Sequence, residues 1–278
     1  MKKNLLKIIC LLIVSCFTTS IFADIKVHFI DVGQADSILI QCDGENLLLD
    51  GGNKADSSLI YSYLKKYEIT NLKYVINSHP HEDHVGGLSG ALNFAKANQV
   101  FSSFSEYNSK AFNDFVKNAE KQNLKVEVLK AGRELSLGNA KIKVLGPIYY
   151  DDKMNNNSLV LHLVYGEISF LFTGDMEFDE ERSLLDLDLI PQCTVLKVAH
   201  HGSENATSYR LLRSVLPQFA VISVGKNNPY NHPNESVLSK LEDAQTKVFR
   251  TDLNGDIIFS SDGKKLEILC ERSLLKIT

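Results

Sequence analysis

Three of the chain's eight histidines fall within six residues, His79-Pro80-His81-Glu82-Asp83-His84, in company with two carboxylates. The apolar run Leu72 to Ile76 comes before them, and Gly86-Gly87 and a helical-looking segment come after. That order describes a metal-binding loop at the end of a strand. His79 and His81 are two apart, so an extended backbone sends both imidazoles to one side. Asp83 and His84 are neighbours, point differently and can serve a second ion. Imidazole and carboxylate together suit zinc, manganese or iron. The competing reading, a solvated histidine-rich loop, has to explain why so scarce a residue concentrates here.

Residues of the same type recur at other strand ends. Asp175 closes the apolar run Ile168 to Phe172 through Thr173-Gly174; His200-His201 follow Cys193 to Ala199; His232 lies in the polar loop Gly225 to Pro233. This set exceeds the needs of one tetrahedral ion and fits two divalent ions about 3.5–4 Å apart sharing a carboxylate, for which Asp175 is the expected bridge. No GxSxG nucleophile elbow occurs, so the expected nucleophile is a metal-activated water. Asp83 is expected to orient that water while contacting a metal. His232 is expected to donate a proton or bind a substrate oxygen, unless it is a surface histidine of the turn before Pro233. His201 is expected to hydrogen-bond within the site rather than ligate, and Ser203 lies beside it. Asp31 and Asp50, each at a strand end, either hydrogen-bond a ligand histidine or cap a turn.

A length of 278 residues admits one large domain or two small ones, and 44% apolar residues with only 6 prolines require a packed fold. Lys2, Lys3 and Lys7, the apolar stretch Leu5 to Val14 and Ile21-Phe22-Ala23 make residues 1–23 an expected export signal, too short to span a bilayer. Ile13-Val14-Ser15-Cys16 offers a second reading, a lipoprotein signal with a lipid anchor on Cys16. The expected location is periplasmic or secreted, or lipid-tethered in a bacterial envelope. Cleavage after Ala23 would remove three lysines and no acid from a chain with 30 basic and 34 acidic residues, so nothing general attracts it to nucleic acid. Cys42, Cys193 and Cys270 stand far apart in strand-like runs and are read as buried thiols, with one disulfide as the alternative.

The remainder alternates strand and helix. Strands are predicted over Ile25 to Asp31, Ile38 to Cys42 and Leu47 to Leu49, with a hairpin turn at Asp43-Gly44. Helices are predicted over Ala55 to Tyr67, Leu88 to Asn98 and Lys110 to Gln122, separated by strands Leu72 to Ile76 and Val100 to Phe104. Hairpins follow around Gly138-Asn139 and Gly166-Glu167, and the polar loop Gly146 to Asn157 is placed to touch a substrate. Helices at Phe178 to Leu187, Tyr209 to Leu216 and Asn234 to Glu242 then alternate with strands, and three short strands end the chain. No linker or repeat divides residues 24–278, which are read as a single domain.

His79-Pro80-His81-Glu82-Asp83-His84 resembles the HxHxDH signature of the metallo-β-lactamase fold. With Phe29-Ile30-Asp31-Val32-Gly33-Gln34-Ala35-Asp36, Leu171-Phe172-Thr173-Gly174-Asp175, Lys197-Val198-Ala199-His200-His201-Gly202-Ser203 and Arg250-Thr251-Asp252-Leu253-Asn254-Gly255, it is most similar to the hydrolase domains of ComEC-type DNA-internalisation competence proteins and their stand-alone exported relatives. The resemblance implies an α+β, four-layer αβ/βα sandwich and a dinuclear Zn2+ or Mn2+ site. It implies that His79 and His81 bind the first metal, that Asp83, His84 and His200 bind the second, and that Asp175 bridges. Many relatives carry a further histidine before the bridging aspartate, where this chain has Asn155-Asn156-Asn157-Ser158; His162 is read as a strand side chain. Asn157 is the residue expected to help an oxygen-rich first site. The implied activity is phosphodiester hydrolysis, with DNA among the candidate substrates. The alternatives are hydrolysis of a small ester, such as a choline-phosphate or nucleotide ester, and a degenerate metal-binding protein.

Overall fold

The computed structural model describes residues 25–277; the expected leader and Cys16 lie outside the described residues. The chain opens with the meander β1 (Ile25–Phe29), β2 (Ser37–Cys42) and β3 (Glu45–Gly51), followed by β4 (Asn71–Asn77), β5 (Lys96–Ser102) and β6 (Val126–Val128). A second run holds β7 (Glu134–Leu137), β8 (Ala140–Gly146), β9 (Val160–Tyr165), β10 (Ile168–Phe172), β11 (Val195–Lys197), β12 (Phe219–Ile222) and β13 (Lys247–Arg250). The chain returns through β14 (Ile257–Ser261), β15 (Leu266–Cys270) and β16 (Ser273–Ile277). The first six and last three strands form one nine-stranded sheet in the order β16-β15-β14-β1-β2-β3-β4-β5-β6, and β7 to β13 form a seven-stranded sheet in the order β13-β12-β11-β10-β9-β8-β7.

Alternation within the strands explains the layers. In β3, Leu47 and Leu49 point to the core between the sheets, where they join Phe29, Phe170, Phe172, Val221 and Phe259. Leu48 points the other way, toward α1 (Ser57–Lys66) and their neighbours. Both faces are covered, so the strands read as continuous apolar runs. The short helix α2 (Glu82–Val85) carries part of the histidine loop. The helices α3 (Leu88–Phe94) and α4 (Lys110–Glu120) complete the first outer layer, and α5 (Phe178–Asp186), α6 (Tyr209–Val215) and α7 (Glu235–Asp243) cover the other sheet. The four-layer αβ/βα sandwich is thus present.

Helix α3 stops at Phe94, short of the expected Asn98, and β5 begins at Lys96. Ala95 and Ala97 are buried while Lys96 and Asn98 are exposed, a period of two that a strand satisfies and a helix does not. The last strand, β16, was not expected. Among the described residues no helix is long and apolar enough to cross a membrane. Cys42 and Cys193 are buried free thiols.

One feature of the topology positions the site. β3, β4, β5 and β6 run parallel, as do β10, β11, β12 and β13. Parallel strands deliver their carboxyl ends to one edge, so the loops after β3, β4, β10 and β11 share a rim.

Candidate metal centre

Asp175, just past β10, sits at the middle of the cluster and is 2% exposed. Its two oxygens face different groups. Oδ1 is 3.2 Å from His84 Nε2 and 3.7 Å from His201 Nε2. Oδ2 is 3.9 Å from His79 Nε2 and 3.8 Å from His200 Nε2. His81 Nδ1 lies 3.0 Å from His79 Nε2. Asp83 Oδ2 is 3.3 Å from His201 Nε2 and 3.9 Å from His84 Nε2. Asp83, His84, Asp175 and His201 therefore group around one point, while His79 faces the other Asp175 oxygen with His81 beside it.

The outer hydrogen bonds assign the histidine tautomers. His84 Nδ1 donates to Asp50 Oδ2 at 2.9 Å, and His201 Nδ1 donates to the Ser223 carbonyl at 2.9 Å. His79 Nδ1 lies 3.2 Å from Ser78 Oγ, which gives its own proton to Asp50 Oδ2 at 2.6 Å and so accepts from the ring. Each ring points its Nδ1–H outward to an acceptor and turns Nε2 inward, the orientation of a metal-ligating histidine. His84 Nε2, Asp175 Oδ1 and His201 Nε2 are buried with no hydrogen-bond partner. Orphaned buried acceptors in a carboxylate-rich pocket are what a divalent cation would satisfy, so the residues present fit one.

The carboxylates that would share a cation also favour a second proton on His84 and His201, which a cation at Nε2 would displace. Burial works against the charged form of His84, yet Asp175, Asp83 and Asp50 hold its pKa well above the usual value. Burial also opposes charge on His201, but Asp175 and Asp36 lift it to about 10. Asp83 resists its own burial and is drawn down to about 2 by His84 and His201. Burial and the neighbouring His84 keep His79 well below the ordinary histidine value.

Several expected residues stand elsewhere. His201 takes the position beside Asp83 and His84 that was expected for His200, and His200 lies on the side of His79. The reason is the backbone: His200 (φ 49°, ψ 46°) and His201 (φ 53°, ψ 21°) are both left-handed, not the end of an extended strand. Asp50 accepts from the Ser78 N–H and hydroxyl, each at 2.6 Å, as well as from His84, the histidine-holding role among the two weighed for it. Asp31 instead pairs with Arg272 at 2.6 Å and accepts from the Gly33 N–H, away from the histidines. Asn157 spends its amide on Asp151 and Lys153, tying the loop, while Asn155 reaches His200. Ser203 Oγ accepts from the Asn205 N–H inside its own turn. His162 lies in β9, paired across the sheet with Lys143 and Leu171.

His232 is half-buried, its ring centroid 5.6 Å from that of His200. Burial, then His200 and His201, lower its pKa to about 4. Gln34 fixes its tautomer: Gly225 N–H donates to Gln34 Oε1, which leaves Gln34 Nε2 to donate to His232 Nδ1 at 3.4 Å. The neutral ring therefore carries its proton on Nε2. His232 borders a groove of about 720 Å3 that Lys226, Asn231 and Arg250 also line.

Two residues of the centre were not expected from the sequence. Asp36 and Lys197 are both buried, and Lys197 Nζ lies 2.8 Å from Asp36 Oδ2. Asp36 Oδ1 is 3.4 Å from His201 Nδ1. Their sequence contexts, a loop before a strand and an apolar strand, carry no local sign of the pairing.

Residues 30–226 match the Metallo-beta-lactamase superfamily, and the chain belongs to that family of metal-dependent hydrolases. Among individual relatives, it is 30% identical over 251 residues to ComE operon protein 3 of Bacillus subtilis (strain 168), across 84% of this chain and 32% of that protein. It is 29% identical over 269 residues to Recombination protein 2 of Haemophilus influenzae, across 92% of this chain and 32% of that protein. The chain spans about a third of the length of these curated relatives. Among solved structures, the metallo-beta-lactamase fold protein YhfI from Bacillus subtilis has a similar fold, with a TM-score of 0.59 at 16% identity over 86% of this chain and 100% of that one.

Proposed function

We propose that this chain is an exported, metal-dependent phosphodiesterase that uses two divalent ions, Zn2+ or Mn2+, and accepts DNA or a smaller phosphodiester. The observation that carries the reading is the convergence of three oriented Nε2 atoms on the two oxygens of buried Asp175. Asp83, His84, His201 and Asp175 Oδ1 would hold one ion; His79, His81 and Asp175 Oδ2 would hold the other. Bound there, the ions would supply Lewis acidity and bring water toward its deprotonated form at neutral pH. Asp83, partly open to solvent and ionised, orients an attacking water by accepting its proton. His232, with Nε2–H available, donates to a leaving or non-bridging oxygen. Gln34 keeps it in that tautomer. The groove beyond His232 gives a substrate room to extend past the reacting bond. The likeness to competence and recombination proteins favours a phosphodiester over a lactam or a thioester.

The test is hydrolysis of bis-p-nitrophenyl phosphate, single-stranded DNA and double-stranded DNA by the protein loaded with zinc or manganese, with Asp175→Ala as control. Cleavage of ester and DNA that is lost in the control supports a nuclease. Ester cleavage alone supports a small-molecule phosphodiesterase. Metal binding without cleavage of any of the three would sink the phosphodiesterase reading.

A further inference from the structure

The two halves of the centre are unequal. Around Asp175 Oδ1 stand Asp83, His84 and His201, which with Asp175 itself make a set of four donors. Around Asp175 Oδ2, His79 and His81 supply only two imidazoles. His200 occupies the remaining side: its Nε2 is 3.8 Å from Asp175 Oδ2, and its Nδ1 is 3.4 Å from Glu177 Oε1. An acceptor on Nδ1 leaves Nε2 turned inward, as in the other three rings. Asn155 lies against it, with Nδ2 3.3 Å from His200 Nε2 and 3.1 Å from Glu177 Oε1, and its Oδ1 is buried with no partner.

The backbone provides a second, independent observation. Consecutive non-glycine residues in the left-handed region are rare and costly, and such strain collects at functional sites. His200 is not compensated by apolar burial, since its side chain is 22% exposed. What the turn achieves is to send two adjacent imidazoles to opposite oxygens of one carboxylate.

Building on the dinuclear reading, we propose that His200 Nε2 and the Asn155 side-chain oxygen complete the first ion's shell, so that His200 and His201 divide between the two ions. Asn155 would turn its amide to present Oδ1 inward, giving up its hydrogen bond to Glu177 Oε1. An uncharged amide oxygen is a weaker donor than the Asp83 carboxylate across the centre, so the first ion binds less tightly than the second.

The test is equilibrium binding of Mn2+ and of Zn2+ to the full-length protein, read as metal per chain and as stepwise affinities. The wild type is expected to take two equivalents, one weaker. His200→Gly is expected to lose the weaker equivalent, to keep the tighter one, and to melt at a higher temperature in chelator because glycine adopts the left-handed turn without strain. Asn155→Ala, which leaves the backbone of that turn unchanged in sequence, is expected to weaken the same equivalent about 10-fold or more, the scale seen when even an outer partner of a ligand is lost. Unchanged stoichiometry and affinities in both variants would overturn the proposal, as would loss of the tighter equivalent alone. A wild type that binds no metal would instead overturn the metallo-hydrolase reading itself.

Discussion

Lys197→Met tests whether the buried pair behind the centre is as coupled as its geometry indicates. Lys197 is 1% exposed, with Nζ 2.8 Å from Asp36 Oδ2 and donating at 2.9 Å to the Val198 carbonyl. At an effective dielectric of about 20, that separation is an attraction of about 6 kcal/mol, much of it offset by desolvation. Removing the lysine alone leaves a buried carboxylate without its cation, a change that costs about 3–5 kcal/mol. His201, 3.4 Å from the other Asp36 oxygen, remains to soften the loss, which sets the expectation near 3 kcal/mol. The pH dependence has a defined sign. Burial pushes the Asp36 carboxyl up, but Lys197 and then His201 hold it well below the usual range. The stability this contributes is present above the unfolded aspartate value of about 3.9 and is lost as pH falls toward the depressed folded value. In Lys197→Met the burial is unopposed by the ammonium, so the variant's carboxylate takes up a proton at a higher pH than that of wild type, and the gap between the two proteins narrows as the pH falls. Urea unfolding followed by circular dichroism, in chelator and across pH, measures it. Replacing both partners, Lys197→Met with Asp36→Leu, should recover most of the loss, because apolar isosteres of a buried pair are often neutral. A single variant within about 1 kcal/mol of wild type, or a gap that does not narrow with acid, would refute the reasoning.

Asp50→Ala removes the acceptor of His84 Nδ1, Ser78 Oγ and the Ser78 N–H, and metal affinity measured by chelator competition should fall about 10- to 100-fold; an unchanged affinity would show that His84 is oriented without it. Glu180 accepts from the Ile148 N–H at 2.8 Å, and burial, against that bond and one from Tyr149, pushes its carboxyl up to about 7. A raised carboxyl keeps a proton in the fold that the unfolded chain has released, so stability falls as pH rises from about 4.3 to this value and is level above it. Glu180→Gln keeps an acceptor for Ile148 and removes the slope; thermal melts should coincide with wild type near pH 4 and lie above it at pH 8, and parallel profiles would count against this account.

The sequence showed what is local. The loop from His79 to His84 carries four of its donors within six residues, and Asp175 ends an apolar strand at Gly-Asp, a signal readable without any fold. Boundaries held where alternation was clear, as at the Gly166-Glu167 hairpin, and slipped where small residues blur the period, as at Ala95 and Ala97. The exchange of His200 and His201 was hidden because alternation assumes an extended backbone, and both residues are left-handed. Asp31 and Asp50 looked alike, since each follows a strand. Only pairing order tells them apart: β3 lies beside β4 and its histidine loop, whereas β1 lies beside β14. Lys197 ends a strand of one sheet and Asp36 sits in the loop before β2 of the other, and no pattern along one strand reports a contact between them.

The acidity of the chain bears on its substrate less than the net charge suggests, because charge at this rim is local. The groove lined by Lys226 and Arg250 is not strongly cationic: Arg250 is tied to Asp252 at 3.0 and 2.7 Å, and Glu235 also lines the groove. The pull on an anionic ester has to come from the centre itself. There, Asp36, Asp50, Asp83 and Asp175 face Lys197 and the imidazoles of His84 and His201, so even with both rings protonated the protein groups alone leave an excess of negative charge. On the proposed reading two divalent ions would more than cancel that excess, and the sign of the local field would reverse on loading. Metal would then govern substrate capture as well as chemistry. Lys197 would have a matching role: by neutralising Asp36 permanently, it limits the buried negative charge that the ions must offset, and it does so from inside the fold where no salt can screen it.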